Sequence, residues 1–498
     1  VAAVDVSNAF DVVVVGSGIA GTSAAIEAAR AGASVALASL GSTFSGSSFF
    51  GGTWGLGLVG PEGEHDLDDF LQTILCVGCG EADPQLAQQL VEGIDPAIRW
   101  LEEMGVELRR PKDATQRAYV PCFDYKVRGW HGLVRDSLRN AWARELARLG
   151  VTLLPNNELV DLVEQDGHVT GALLFDHTRE QLAPVSCHAI VLATGGLSGL
   201  YERRLTADDT CASAHGIALA HGCSLVNAEF LQMMPGIVSP VQGVVINEKA
   251  FRFSTLPFDG GLLDERSGYG PFTSRLASHA IDLAIAGAGA SGMPLSYNLP
   301  SDPPELVADY FTWLSGAFGI SPDDEVRIAL YAHASNGGIR IAPDASCVGG
   351  PSGLFACGEC AGGMHGADRI GGLASAAALV FGRTAGTHAA YEAGHDTPAE
   401  VACEAELPCS PFGRDTLAEL RQLMSAHAMV GRTAQGLGEV LSGISALEGR
   451  LLENASPDGT SREQVLAARA EHQLSAARAM IGAMLHRRKS CGSHHRAD

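Results

Sequence analysis

Gly16-Ser17-Gly18-Ile19-Ala20-Gly21 places glycines at the first, third and sixth positions, directly after the β-branched run Val12–Val15. That spacing suits the reception of a pyrophosphate. The first glycine permits a tight turn, the second lets phosphate oxygens approach the backbone, and the third lets the following helix pack on the strand. The phosphates then sit on a helix N-terminus. Gly16, Gly18, Ala20 and Gly21 are therefore candidate cofactor-binding residues. Two Cys-x-x-Cys pairs, Cys76/Cys79 and Cys357/Cys360, raise a zinc or redox reading. Neither has a second ligand pair at zinc spacing, although His65 and His365 are not far off, so no metal is expected.

The glycine motif must be carried by a βαβ unit. Val12–Val15 has the uninterrupted apolar character of a parallel strand buried on both faces. Ala20–Ala31 is rich in helix formers and stops at Gly32, and Ser34–Ala38 supplies the next strand. Residues 41–57 have no helical period and read as a loop folding back over the cofactor, with Ser47 and Ser48 offering hydroxyls to a pyrophosphate or a cofactor ring. Two helices are expected between Asp66 and Met104, divided at Asp83-Pro84, where Asp caps and Pro takes the first helical position. A further amphipathic helix spans Leu133–Leu149, and Val151–Leu154 returns to strand. Glu158–Glu164 and Val169–Asp176 form a hairpin around Asp166-Gly167. Ala189–Gly196 is a second buried strand that ends in a glycine turn. Leu417–Ala428 and Val465–His486 read as antiparallel bundle helices, with Met and Leu on their core faces.

The chain has 498 residues, enough for two or three domains. Its net charge of −23 excludes nucleic acid as a partner, since nothing offsets repulsion by phosphate. No apolar run is long enough to span a bilayer and no leader-like segment opens the chain, so direct membrane insertion is not expected. Twelve scattered cysteines fit a reduced, cytoplasmic setting. Arg487, Arg488, Lys489 and Arg496 make the C-terminus basic, most simply to face water.

Val191-Leu-Ala-Thr-Gly-Gly196 and His215–Gln232 resemble the flavoproteins of the succinate dehydrogenase, fumarate reductase and L-aspartate oxidase family. The resemblance continues through INEKAFRF from Ile246, HASNGGIRI from His333, GLFACGECAGGMHGADRIGG from Gly353 and the final RRKSCGSHHRAD. It covers nearly the whole chain in the family's order. What it implies is an α/β fold: a Rossmann-like FAD-binding domain in two segments, 8–235 and 334–395, an inserted α+β capping domain, 236–333, and a C-terminal helical domain, 405–498. A linker falls near 396–404.

The resemblance also implies site residues. Ser39 falls where the adenosine half of FAD begins, Gly195 lies in the glycine turn, and Gly358-Glu359 matches a Gly-Glu whose carboxylate reaches the ribityl chain. Family members that attach FAD covalently use a histidine in the loop after the second strand. Here that loop reads SGSSFFGG, so FAD is expected to be noncovalent, as in L-aspartate oxidase. His333 and Arg369 fill the positions that hold a substrate carboxylate at the flavin edge. Where the family has Gln-x-His-Pro-Thr, this chain has Gln232, Met233, Met234, Pro235 and Gly236. The family's proton-delivering arginine falls at Ser274 by register, with Arg275 beside it as the candidate that could reach in.

The implied function is hydride transfer between flavin and a carboxylate-bearing small molecule, most closely resembling L-aspartate oxidase, which converts aspartate to iminosuccinate and passes electrons to fumarate or oxygen. Two alternatives stand beside it. One is a fumarate reductase or succinate dehydrogenase type of enzyme for another carboxylic acid. The other is an electron-relay flavoprotein subunit, whose iron-sulfur cluster would have to come from a partner chain, since no cysteine cluster here has the spacing.

Overall fold

Val12, Val13 and Val14 are fully buried in the strand Ala9–Val15, which is paired on both edges and packs against helices Ile19–Arg30 and Leu373–Ala393. Parallel partners Val35–Ser39 and Gln181–Leu192 flank it, with Val14 opposite Leu37 on one side and Val191 on the other. In this computed structural model the described residues are 9–113, 124, 126–394, 398, 407 and 409–498. All of the expected linker near 396–404 except Pro398 lies outside them.

The main sheet has seven strands. Thr152–Pro155 extends it beyond Val35–Ser39, and Leu354–Ala356 pairs parallel with the end of Gln181–Leu192. The start of Gln181–Leu192 belongs instead to an antiparallel meander with His168–Asp176 and Asn157–Gln165. The hairpin turn is where the sequence placed it. Asp166 and Gly167 both have positive φ, 52° and 77°, as a two-residue turn matched to strand twist requires.

Helix Ile19–Arg30 lies against helix Leu373–Ala393 at backbone distance. A Cβ added to Gly382 would stand 2.5 Å from the Ala20 carbonyl oxygen, and one at Gly386 2.1 Å from that of Ala24. Contact this close fixes the glycine loop's helix against the core. Pro84–Glu103 begins as expected, with the Asp83 carboxylate accepting from the N–H groups of Gln85 and Leu86.

One expectation needs correction. The helix predicted from Leu133 starts at Arg135, and Gly129–Leu133 is a strand paired antiparallel with Leu56–Gly60, the end of the predicted loop. Pairing with a distant segment overrides the weak local preference of a glycine-containing pentapeptide.

A four-stranded antiparallel sheet comprises Val244–Val245, Leu231–Ser239, Val326–Ser335 and Met293–Leu295, with its own apolar core. The C-terminal helices Gly413–His427, Ala434–Glu453 and Ser461–His486 enclose a third core that includes Leu420, Met424, Val440, Ile444 and Ile481. The Rossmann-like α/β sheet, the antiparallel capping sheet and the C-terminal helices together make the fold. Among the described residues no helix is long and apolar enough to cross a membrane. Arg487 faces protein rather than water: it donates to both Glu81 oxygens at 2.9 Å and to Glu229 at 2.7 Å.

Candidate active site

Gly16 has φ +110°, and a Cβ there would sit 2.2 Å from the Ala193 carbonyl oxygen. At Gly21 a Cβ would stand 1.8 Å from the Gly16 carbonyl oxygen, so this glycine permits helix-on-strand packing. Gly18 differs: its nearest neighbours would be Ser48 Oγ at 3.2 Å and the Ser45 carbonyl at 3.8 Å. The space in front of it belongs to a cavity of about 320 Å³.

That cavity gathers Gly16, Gly18, Ala20, Ser39, Ser47, Ser48, Gly195, His333, Glu359 and Arg369 into one lining. Gly21 and Gly358 do not line it; Gly358 abuts Ala20, with its Cβ position 2.6 Å from Ala20 Cβ. Ser39 is committed to the loop, bonded to the Ser17 and Ser45 hydroxyls at 3.0 and 3.1 Å. Ser48 Oγ accepts from the Ile19 N–H at 3.1 Å, closing one donor of the helix N-terminus. Arg135 donates to the carbonyls of Ser48 and Thr53 and holds this loop over the cavity.

The capping sheet presents Gln232 and His333, while Glu359 lies in the turn Gly358–Cys360 and Arg369 just before helix Leu373–Ala393. Arg369, 7% exposed, donates through Nη2 to Gln232 Oε1 at 2.6 Å. No ion pair joins it to a carboxylate among the described residues, and Asp368 instead accepts from the Thr273 hydroxyl at 2.7 Å. Burial pushes the guanidinium below its ordinary pKa, with Glu359 partly offsetting this. His333 is driven down to about 4, first by burial and then by the Arg369 charge, so it is neutral near pH 7. Its imidazole thus offers the cavity a neutral hydrogen-bonding group rather than a second cation. Glu359 Oε1 accepts from the Ser335 N–H at 2.8 Å, and burial raises its carboxyl.

Arg275 does not reach this cavity. Its Nη1 donates to the Val77 carbonyl at 2.9 Å, while Ser274 binds the Gly492 carbonyl through both N–H and Oγ. Arg266 is held by Asp282 through two bonds of 2.9 and 3.0 Å. Docking on the C-terminal residues, rather than helical register, directs the 273–275 segment. Arg275→Gln is therefore expected to keep FAD and to change turnover less than threefold. Loss of turnover in a variant with full FAD content would restore it as the proton carrier.

Residues not anticipated in these roles complete the lining. Asp209 accepts from the Gly46 N–H through Oδ2, and Asn247 and Glu248 face the cavity from the capping side. Ser47 Oγ, Asp209 Oδ1, Gln232 Nε2, Glu248 Oε1, His333 Nδ1 and Arg369 Nε are buried without hydrogen-bond partners among the described residues. Buried polar atoms in one cavity call for a polar ligand, because each left unpaired costs about 1–3 kcal/mol. Together with the open face of Gly18 at a helix N-terminus, they fit an FAD. Cys357 and Cys360 are buried, and no cluster of three or more His, Cys, Asp or Glu side chains is placed to hold a metal among the described residues.

The FAD binding domain model matches residues 11–281, and the fumarate reductase flavoprotein C-terminal model matches residues 417–498. The protein is an FAD-dependent oxidoreductase. More particularly, it belongs to the succinate dehydrogenase, fumarate reductase and L-aspartate oxidase flavoprotein family. It is 28% identical to the L-aspartate oxidase of Halobacterium salinarum, over 98% of this chain and 96% of that one. It is 27% identical to one of the subunits of the fumarate reductase (CoM/CoB) of Methanothermobacter marburgensis, over 98% and 94%. Among solved structures, the Mycobacterium smegmatis Sdh1 complex in the apo form shares the fold with a TM-score of 0.78 and 24% identity, over 98% of this chain and 88% of that one.

Proposed function

We propose that this enzyme moves hydrogen across a C–C or C–N bond next to a carboxylate held by Arg369 and His333. The observation that carries the reading is Arg369: a buried guanidinium with no carboxylate partner among the described residues, facing the cavity that accepts FAD. A buried, unpaired charge costs several kcal/mol, so it is retained where an anion arrives to pair with it. FAD, when bound, supplies acceptance or delivery of a hydride. Gly16, Gly18 and Gly21 form the pyrophosphate turn, Ser39 and Ser48 brace the loop beside it, Ser47 offers its unpartnered hydroxyl, and Glu359 would take the ribityl hydroxyls. Arg369 offers a planar fork to the substrate carboxylate, Gln232 orients that fork, and neutral His333 adds a hydrogen bond. Residues 236–333 act as the capping unit over a flavin domain of residues 8–235 and 334–395, beside the helical unit 405–498.

Aspartate oxidation is supported by the likeness to the Halobacterium salinarum enzyme. A second reading, an acid other than a C4 dicarboxylate, is favoured by Met234, which lines the cavity beside Gln232. Electrons leave to a small acceptor or to an iron-sulfur partner subunit, in a cytoplasmic setting. Anaerobic titration of the bound flavin with a panel of carboxylic acids and their amides tests the proposal. An acid should bleach the oxidised flavin or reoxidise the reduced one, and its amide should not. An amide as effective as its acid would remove the carboxylate from the reading.

FAD is held without a covalent bond in this proposal, since the loop at 45–52 contains no histidine. Acid precipitation should release all the flavin into a yellow supernatant. Flavin remaining with the pellet would contradict it.

A further inference from the structure

Gln232 and Met234 stand two residues apart on strand Leu231–Ser239 and both line the cavity. Gln232 carries the bond to Arg369. On the neighbouring strand Tyr331 pairs with Met234, and His333 follows two residues on. Arg369, His333 and Met234 thus belong to one neighbourhood. Met234 is 6% exposed and packs with Leu205, Val245 and Tyr331, with Trp54 against them. Met234, Leu205, Val245 and Trp54 all face the cavity.

The charges of the lining point the same way. Among the described residues its cations are Arg369 and Arg109, and Arg109 is already paired with Asp309 at an exposed position. Glu248, buried in the lining of the same cavity, adds a carboxyl group and not a cation. Arg266 and Arg275 are engaged elsewhere. A dicarboxylate could satisfy one end on Arg369, but at the wall formed by Met234, Leu205, Val245 and Trp54 its other end would face thioether and hydrocarbon. Burying an unpaired carboxylate against such a wall costs several kcal/mol, whereas an alkyl or aryl group gains from the same contact.

We propose that the substrate is a monocarboxylic acid whose far side, across the reacting bond from the carboxylate, is apolar, with Met234 setting that preference. This rests on the reading of Arg369 as the carboxylate holder.

The test is anaerobic titration of the FAD-loaded enzyme with fumarate, crotonate and cinnamate, reading Kd from the flavin absorbance change. Crotonate or cinnamate should bind at least tenfold tighter than fumarate. Met234→His, which supplies a hydrogen-bond donor to the far end, should narrow that ratio at least threefold while FAD content stays full. Fumarate binding as tightly as the monoacids would overturn the proposal and leave Arg369's role standing. If none of the three acids perturbs a fully loaded flavin, this inference falls, and the panel of acids and amides decides the Arg369 reading. Should Met234→His fail to hold FAD, the ranking of ligands by the unaltered enzyme decides alone.

Discussion

Gly18→Val is expected to fold normally and to contain at least tenfold less FAD than the unaltered protein. The residue has φ −73° and ψ −167°, which valine adopts without strain, and the nearest atom to its added Cβ is a serine hydroxyl that can turn away. What the side chain fills is the space before helix Ile19–Arg30, where the proposed pyrophosphate site needs phosphate oxygens to meet the backbone. Gly16 and Gly21 make poorer tests. Their Cβ atoms would collide with main-chain oxygens at 2.2 and 1.8 Å, so loss of FAD there could not be separated from damage to the fold. Flavin absorbance per mole of protein, with the melting temperature of the apo forms as control, gives the answer. Normal FAD content in Gly18→Val would show that the phosphates bind elsewhere.

Arg369→Lys should keep FAD and lose roughly 1.5–3 kcal/mol of transition-state stabilisation, about 10- to 150-fold in kcat/KM, the worth of a hydrogen bond to a charged group. Lysine preserves the charge but not the planar fork, and a single ammonium cannot serve Gln232 and a substrate carboxylate with the geometry of the guanidinium. Because His333 is neutral near pH 7, it cannot take over the charge. Steady-state kinetics on any acid that turns over would measure the loss. Full activity in Arg369→Lys would end the carboxylate assignment.

The glycine motif, the hairpin at Asp166-Gly167 and the division at Asp83-Pro84 were legible because each depends on a local requirement: a positive φ, a close approach or a cap. Helix Leu373–Ala393 left no comparable trace, since alanine and glycine bury most of its length and no polar face contrasts with an apolar one. Ala434–Glu453 was similarly obscured by glycines at 436, 438, 443 and 449 within its amphipathic pattern. In the site, His333 and Arg369 were reached by likeness to a family, and no spacing in the chain would have paired them. The bond between Arg369 and Gln232 joins residues 137 apart, and the neutrality of His333 comes from burial, which a sequence does not display. Arg275 shows the opposite failure. Its place in the chain suggested a route to the substrate, but contacts of Thr273 with Asp368 and of Ser274 with Gly492 turn the segment toward the C-terminus.

If Arg369 waits for a substrate carboxylate beside bound FAD, a crystal structure of the FAD-loaded enzyme with the acid that most strongly perturbs its flavin will show the pair. The carboxylate should lie about 2.7–2.9 Å from the Arg369 guanidinium nitrogens, within reach of His333, with Gln232 still bracing the arginine. A carboxylate bound elsewhere, or Arg369 spent on the FAD pyrophosphate, would contradict that role.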